Sequence, residues 1–473
     1  MKIVKKKNNI SFIIGIIEIV LMTIFSFLML KENILPLKYI FIIMIIILVL
    51  LGTFFYIGYF NKNKKIKILM IALSLVTILV PLVVFYYQDK TNNFINKITK
   101  ENKFETISYS LLVLNDNSDS LKDYNNGKIG IIGVNIEANN AIEKKLINSI
   151  KFERKEYSNV ATIMADLTEN KLNAILLENN YVEMLEESDS DSYKKIKVIW
   201  TGLVKLDAKS IKKPVSLSIE PFTILISGID TYGPIGNVSR SDVNMLMTVN
   251  PKTHEILLVH IPRDYYIPFS NHGMKDKLTH SGIYGIDVTV STLENYFGID
   301  INYYIRVNFN TLVDIVDILG GIEVDVDVAF SNWGETYTKG INHLNGKRAL
   351  TFSRSRKMLA GGDRDRGRNQ QKVLAAIINK ASSPKIIANY SSVLEVMGKS
   401  FTTNMSSAEI KEFINFELNK LPKWNIKSIS VDGYGIEPLG TPFFPNIPIY
   451  VMDPYIETVN IAIEEINKLK NKK

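Results

Sequence analysis

The sequence predicts an α/β protein carried on three N-terminal membrane-spanning helices. Three long apolar runs open the chain, and beyond them short β-rich runs alternate with helical periods almost to the end. The apolar runs are Ile10–Leu30, Leu37–Phe60 and Ile66–Tyr87. Each is long enough to cross a hydrocarbon core of about 30 Å as a helix. Glu18 is the one acidic residue of the first run and is assigned no role. Lys2, Lys5, Lys6 and Lys7 precede the first run, and Lys62, Lys64, Lys65 and Lys67 separate the second from the third. The link between the first two offers only Lys31 and Lys38, with Glu32. The positive-inside rule therefore puts the N-terminus and the second link in the cytoplasm, and everything after Tyr87 outside the cell membrane.

The 473 residues carry a formal charge of +8, which invites a nucleic-acid reading. Its distribution argues against one. Residues 1–100 hold 13 lysines and 3 acidic groups, and the remainder holds 43 basic and 45 acidic residues. The excess positive charge belongs to the membrane end, and the outer part is no generic polyanion binder. The absence of cysteine excludes disulfides, thiolate metal sites and a thiol nucleophile.

The outer part divides at Lys212-Lys213-Pro214. Residues 1–88 form the anchor. Residues 88–105 are polar and read as a linker, and the unit through residue 213 reads as a small α/β accessory domain. It runs through SYSLLVL, GKIGIIGV, AIEKKLINSI, NVATIMADLTEN, NAILL and KKIKVIWTGLV, and shows no catalytic constellation. Residues 214–425 form the second unit and 426–473 a C-terminal extension with a Pro-rich stretch at 441–448. In the second unit PFTILISGID is a strand ending on Asp230, and VNMLMTV and ILLVHI form a hairpin across Asn250–Thr253. Ser281–Phe297 is helical in period, YYIRVNF is a strand, and TLVDIVDILGG is a helix closed by Gly320 and Gly321. GIEVDVDV alternates as a half-buried strand, and Asn369–Ala381 is a helix.

Chemistry concentrates where strands end. Asp230 closes its strand, and Asp242 follows twelve residues later after Arg240. Two carboxylates with phosphate oxygens are a common way to hold Mg²⁺, and two solvated loop aspartates are the plainer alternative. Arg263 follows the next strand, and Arg354, Arg356, Arg364, Arg366 and Arg368 gather within fifteen residues. Guanidinium forks match phosphate oxygens and are always charged, so the cluster reads as a phosphate-binding set that includes Arg356. If a helix begins near residue 366, Arg366 and Gln370 lie one turn apart on one face, while Arg364 and Arg368 share another and are expected to be solvated. Gly340–Arg348 only imitates a phosphate loop and reads as a turn opening a helix. Histidines 254, 260, 272, 280 and 343 lack metal-ligand spacing, and no GxSxG elbow occurs. The site works by cations on a phosphate-rich ligand rather than by a covalent nucleophile.

From Phe222 to Asn379 the chain resembles the catalytic domain of the LytR-CpsA-Psr family. The matching pieces are ILISGIDTYG, SRSDVNMLMTVNP, VHIPRDYYIP, DKLTHSGIYG, VNFNTLVDIVDILGGIEVDV, LNGKRALTFSRSR and GGDRDRGRNQQKV. Three spans and an intervening domain look like its capsule-linked CpsA subgroup. The resemblance implies a mixed central sheet flanked by helices. It also implies a membrane-anchored phosphotransferase acting on a polyprenyl-pyrophosphate-linked glycan of capsule or teichoic-acid type. The lipid would lie in an apolar tunnel, and glycosyl-phosphate would pass to a sugar hydroxyl of peptidoglycan. Asp230 and Asp242 match its ligands for Mg²⁺ (or Mn²⁺). Arg240, Arg263, Arg354, Arg366 and Gln370 match its pyrophosphate-binding groups, and Asp230 or a metal-bound hydroxide would be the base. The rivals are a binder or sensor of lipid-linked glycan without chemistry, a pyrophosphatase using water, and, weakest, transcriptional control. Membrane lipids, peptidoglycan and the lipid-linked glycan are the expected partners, and nucleic acid is not.

Overall fold

The computed structural model describes residues 10–32, 34–61, 63–77, 79–100, 104–207, 211–229, 239–383, 395, 401–438, 440–445 and 447–472. The apolar runs form helices α1 (Ile10–Glu32), α2 (Leu37–Phe60), α3 (Lys64–Thr77) and α4 (Leu79–Lys100). Two described stretches, Leu37–Ile57 and Lys64–Thr99, are long and apolar enough to cross a membrane.

The expected linker at 88–105 is corrected. Helix α4 continues through this segment to Lys100, and its polar composition conceals a three-residue apolar stripe. Phe94, Ile95 and Ile98 lie at helical spacing and bury against Phe401, Ile410 and Ile414 of the outer part. The turn between α1 and α2 joins the same contact. Glu32 accepts a 2.6 Å hydrogen bond from Asn92 and pairs with Lys411 at 2.9 Å. The N-terminal helices therefore dock onto the rest of the chain rather than tethering it loosely.

The accessory sheet contains β1 (Phe104–Leu114), β2 (Gly127–Ile132), β3 (Phe152–Tyr157), β4 (Ala174–Glu178) and β5 (Ile196–Asp207), in the order β3-β2-β4-β1-β5. Strands β2, β3 and β4 are parallel, with β1 antiparallel to both β4 and β5. Helices α5 (Ile136–Ile147) and α6 (Val160–Thr168) make the parallel crossovers, and Asn135 and Asn159 cap their N-termini through side-chain oxygens. Helix α7 (Asn179–Ser188) follows β4.

The larger sheet contains β6 (Phe222–Gly228), β7 (Val243–Asn250), β8 (Glu255–Ile261) and β9 (Tyr303–Val307), the first three joined antiparallel and β9 parallel to β6. Helix α8 (Ile286–Phe297) precedes β9, and α9 (Phe309–Ile318) follows it under an Asn308–Thr311 capping box. Strands β10 (Ile322–Val326) and β11 (Gly340–Leu344) pair separately. Then come α10 (Gly346–Arg354), capped by Asn345, and α11 (Asp363–Ala381). Strand β12 (Phe401–Thr403), helix α12 (Ser407–Lys420) and strand β13 (Asn425–Ser430) complete the sheet in the order β12-β9-β6-β7-β8-β13. The boundary expected after residue 425 is thereby corrected, because β13 pairs in parallel with β8 as an integral edge strand. A hairpin of β14 (Gly433–Ile436) and β15 (Val451–Pro454) and helix α13 (Ile456–Asn471) close the chain.

The sheet is buried on both faces. On one side Leu225, Leu246 and Val259 meet Val290 and Leu293 of α8 and Val459, Ala462 and Ile466 of α13. On the other, Ile224, Met245 and Leu258 meet Leu374, Ala375 and Ile378 of α11 and Phe413 and Phe416 of α12. Sandwiching of this kind places the loops at the strand ends in the only open position, which is where ligands bind in open α/β sheets.

Candidate active site

Asp242 is placed by its backbone before its side chain matters. Its N–H donates to the Gly228 carbonyl at 2.9 Å, and Ser241 N–H donates to Thr279 at 2.9 Å. The strip 239–242 lies directly on Gly282, where an added Cβ would come within 2.4 Å of the Ser239 carbonyl oxygen. Only glycine allows that approach. The carboxylate is 7% exposed, and its Oδ1 accepts from Arg263 Nη1 at 2.8 Å and from Thr279 Oγ1 at 2.9 Å. Burial alone would raise its pKa, but the Arg263 and Arg240 guanidiniums and these hydrogen bonds outweigh it and hold the carboxyl below its usual range. Among the described residues nothing hydrogen-bonds to Oδ2.

Around this ionised carboxylate stand the arginines. Burial works against the charge of Arg263, and Asp242 and Asp264 outweigh it, so its pKa is raised. Arg366 is only 13% exposed, pairs with Asp363 at 2.6 Å, and is pushed down by burial. It feels the fields of Arg263, Asp242 and Arg356, so these four groups share one neighbourhood. The Nε of Arg263, the Nε of Arg366 and the Oε1 of Gln370 are buried and make no hydrogen bond to any described residue. Buried groups of this kind are costly unless a ligand or water completes them.

The structure thus brings together Arg240, Asp242, Arg263, Arg356 and Arg366, and Gln370 follows Arg366 one turn later on α11. Arg354 sits on an aromatic seat, its guanidinium 4.1 Å from the Phe309 ring centroid and 5.0 Å from that of Trp333. Asp230 lies outside the described residues. Arg364 and Arg368 are exposed as expected, but each has a local carboxylate: Arg364 Nε donates to Asp432 at 2.7 Å, and Arg368 pairs with Asp365.

Four further residues shape the site without a sequence signal. Glu183 of α7 lies 3.9 Å from the Nε of Arg240, so the accessory unit reaches the site's edge. Asp264 takes Lys277 at 2.8 Å. Thr279 supplies the second hydrogen bond to Asp242. His260 is buried beneath Gly367, where an added Cβ would come 2.4 Å from the ring. Burial first, and then Arg366, push this imidazole down to about 3, so it is neutral packing under a cation. The aspartate pair signals a metal, and among the described residues no group of three or more His, Asp or Glu side chains is arranged to hold one. The donor chemistry still suits Mg²⁺, which takes one or two carboxylates and completes its shell with phosphate oxygens and water; Asp242 Oδ2 is ionised and open.

A mixed α/β fold that gathers arginines around a buried aspartate next to a strand of its larger sheet is what the comparisons with known proteins meet. Residues 180–446 match the LytR_cpsA_psr family, and the chain belongs to that family. The match begins inside α7, which is the helix that carries Glu183 to the site. The chain is 36% identical over 220 residues to the polyisoprenyl-teichoic acid–peptidoglycan teichoic acid transferase TagU of Bacillus anthracis, covering 46% of this chain and 70% of that one. It is 38% identical over 202 residues to TagU of Bacillus subtilis, covering 42% and 65%. The crystal structure of B. subtilis TagU overlays with a TM-score of 0.43 at 31% identity, covering 54% of this chain and 98% of that one.

Proposed function

We propose that this protein is a membrane-anchored phosphotransferase that moves glycosyl-phosphate from a polyprenyl-pyrophosphate-linked glycopolymer onto a sugar hydroxyl of peptidoglycan. The observation that carries the reading is the pair of unfulfilled guanidinium groups of Arg263 and Arg366 beside an ionised Asp242, with the unfulfilled Gln370 amide one turn along α11 from Arg366. Such an arrangement of cations around a carboxylate suits a pyrophosphate. The names of the relatives supply the substrate class, a teichoic acid on a polyisoprenyl carrier. A capsular glycan shares the same headgroup.

In the reaction the acceptor oxygen bonds to the phosphorus next to the glycan, and the bond from that phosphorus to the bridging oxygen breaks. Polyprenyl monophosphate leaves, and the hydroxyl proton passes to a base. Arg263 and Arg366 hold the phosphate oxygens and stabilise the charge that develops on them. Arg240 and Arg356 extend the cationic rim, and Arg354 on its aromatic seat contributes from the α10 side. Asp242, with Asp230, would hold Mg²⁺ or Mn²⁺, which when bound supplies charge neutralisation on the phosphates. The isoprenoid would lie along the apolar side chains that α11 turns to the sheet, of which Leu374, Ala375 and Ile378 are only partly buried.

The topology belongs to the same proposal. Helix α1 joins the two stretches described above as a third span, with the N-terminus in the cytoplasm and the site outside. Cysteines introduced at Asn63 and Ser239 test it: an impermeant reagent on intact cells should label only the second, and labelling of both overturns the topology. The activity is tested with the detergent-solubilised protein, a lipid-linked glycan precursor and nascent peptidoglycan. A phosphodiester product on peptidoglycan is expected. Release of the glycan phosphate into water would make the protein a pyrophosphatase, and binding without turnover would make it a sensor.

A further inference from the structure

The hairpin β14–β15 straddles residue 446, where the family match ends: β14 lies inside the match and β15 beyond it, and both are built against the site. Met452 N–H donates to the Asp264 carbonyl at 2.6 Å, and Tyr265 forms a bridge with Met452. From the helix side, Arg364 Nε donates to Asp432 at 2.7 Å and its Nη2 donates to the Gly433 carbonyl at 2.9 Å. The hairpin is thereby tied to the residue after Arg263 and to the first turn of α11.

Its outer surface is aromatic. Tyr434, Tyr450 and Tyr455 are 46%, 48% and 41% exposed. Tyr434 and Tyr455 stand 5.6 Å apart between ring centroids, and Tyr434 Oη donates to Asp453 at 2.9 Å. The Tyr450 ring lies on Gly435, where an added Cβ would come 2.6 Å from its Cε2. Three tyrosines held open in this way are poor core-formers, and a folded protein gains nothing by exposing them together. Between the hairpin and the first turn of α11 lies a cleft of about 380 Å³ whose walls include His260, Asp363, Ser430, Asp432 and Met452. The phenol of Tyr450, whose pKa burial raises, also feels the carboxylates of Asp264 and Asp363, so its ring stands at the edge of that site.

We propose that the β14–β15 tyrosines are the acceptor platform, on which a glycan strand of peptidoglycan lies while its hydroxyl reaches the phosphate. A pyranose presents an apolar C–H face and a girdle of hydroxyls. Exposed tyrosine rings meet the first, and Asp432, Asp453 and the tyrosine hydroxyls meet the second. The platform's place beside Arg263 and Asp363 fits the acceptor rather than the lipid, whose apolar contacts lie on the inner side of α11. The inference rests on the transfer reading for its acceptor.

The test uses the full-length protein in detergent with two separate probes, peptidoglycan sacculi stripped of attached polymers and a short-chain prenyl pyrophosphate. The double variant Tyr434→Ala/Tyr450→Ala should co-sediment with sacculi at least fivefold less than the parent, with its affinity for the pyrophosphate within twofold. Tyr450→Phe, which keeps the ring and loses one hydroxyl, should lose less than twofold, and a loss as large as that of the double variant would overturn the ring-stacking platform. Gly435→Ala, which displaces the Tyr450 ring, should lose binding in the same direction. Undiminished sedimentation of the double variant overturns the platform. So does an equal loss of pyrophosphate binding, or a parent that binds the prenyl pyrophosphate and does not sediment with sacculi. A parent that binds both probes and makes no phosphodiester product sinks the transfer reading and leaves the platform standing.

Discussion

Each of the two sheets buries a carboxylate at a strand end, and the two are in opposite states. Glu178 is the last residue of β4 and is 4% exposed; Asp242 stands just before β7 and is 7% exposed. Burial pushes Glu178 up to about 7, because a tyrosine hydroxyl is its only described side-chain partner. That hydroxyl, on Tyr109, sits 3.0 Å from Glu178 and 2.9 Å from Asn139 Oδ1. One proton cannot serve both, and a protonated Glu178 supplies the second. Asp242 suffers the same burial, and two guanidiniums reverse its effect. The difference teaches that burial of an acid does not mark a site. What marks it here is a charge kept ionised inside the protein, beside cations whose own hydrogen bonds are incomplete.

The largest effect expected from that contrast is at the ionised end. Asp242→Ala removes the group that Arg263 is held against, and transfer should fall by roughly 10²–10³-fold, as for loss of a charge-stabilising group. Its apparent Mg²⁺ requirement should also rise. Arg366→Ala should slow transfer by a similar factor with Mg²⁺ dependence nearly unchanged. Arg366→Lys should recover only part, because an ammonium cannot reproduce the guanidinium fork. Steady-state transfer against Mg²⁺ concentration separates the two. Full activity in both alanine variants would reject the site.

At the neutral end the expected effect is on stability and its pH dependence. The folded protein keeps a proton on Glu178 that the unfolded chain releases near pH 4.5. The stabilisation is complete below that pH and is lost as pH rises through 7. A rise from the ordinary glutamate value of 4.5 to about 7 corresponds to about 3 kcal/mol. Glu178→Gln keeps the donor and removes the titration, so its unfolding free energy relative to the parent should improve between pH 5 and pH 8. A parallel pH profile for parent and variant would show that Glu178 is ionised throughout.

These two ends differed in how far they could be read in advance. Arg366 and Gln370 announce themselves because helical spacing puts them on one face, and Asp242 because it follows a strand and an arginine. The hairpin of β7 and β8 and the helix of α11 follow from alternation and period. Glu183, Asp264 and His260 left no such trace, since each acquires its role from a partner brought close only by folding: Arg240, Lys277 and Gly367. The segment 88–105 was misread for a related reason. Its three buried apolar residues are too few to dominate a polar composition, and their partners, Phe401, Ile410 and Ile414, lie about 300 residues away. Likewise β13 was cut from its sheet because a parallel edge strand has no hairpin to announce its neighbour.

A smaller effect is expected where a neutral residue supports the cation. Gly367 lets α11 lie on the buried His260 ring beneath Arg366, and Gly367→Ala forces a Cβ to within 2.4 Å of that ring. Overpacking of this kind costs about 1–3 kcal/mol. Thermal unfolding should show that loss, and affinity for a short-chain prenyl pyrophosphate should fall with it as Arg366 is displaced. Normal stability with normal affinity would mean that the helix has room to shift.

The smallest effect is the most diagnostic for the comparison. Arg368 is two residues from Arg366 on the same helix and carries the same charge, but it is 53% exposed and paired with Asp365. If proximity to the site were enough, Arg368→Ala would weaken donor binding as Arg366→Ala does. If an incomplete, buried cation is what binds phosphate, Arg368→Ala should change stability by no more than about 0.5 kcal/mol and leave the affinity for a short-chain prenyl pyrophosphate within twofold. Titration of parent, Arg366→Ala and Arg368→Ala against that ligand, at two salt concentrations, decides between them. A surface charge contributes only through a screened field, so any small loss in Arg368→Ala should vanish at high salt, whereas the loss in Arg366→Ala should persist.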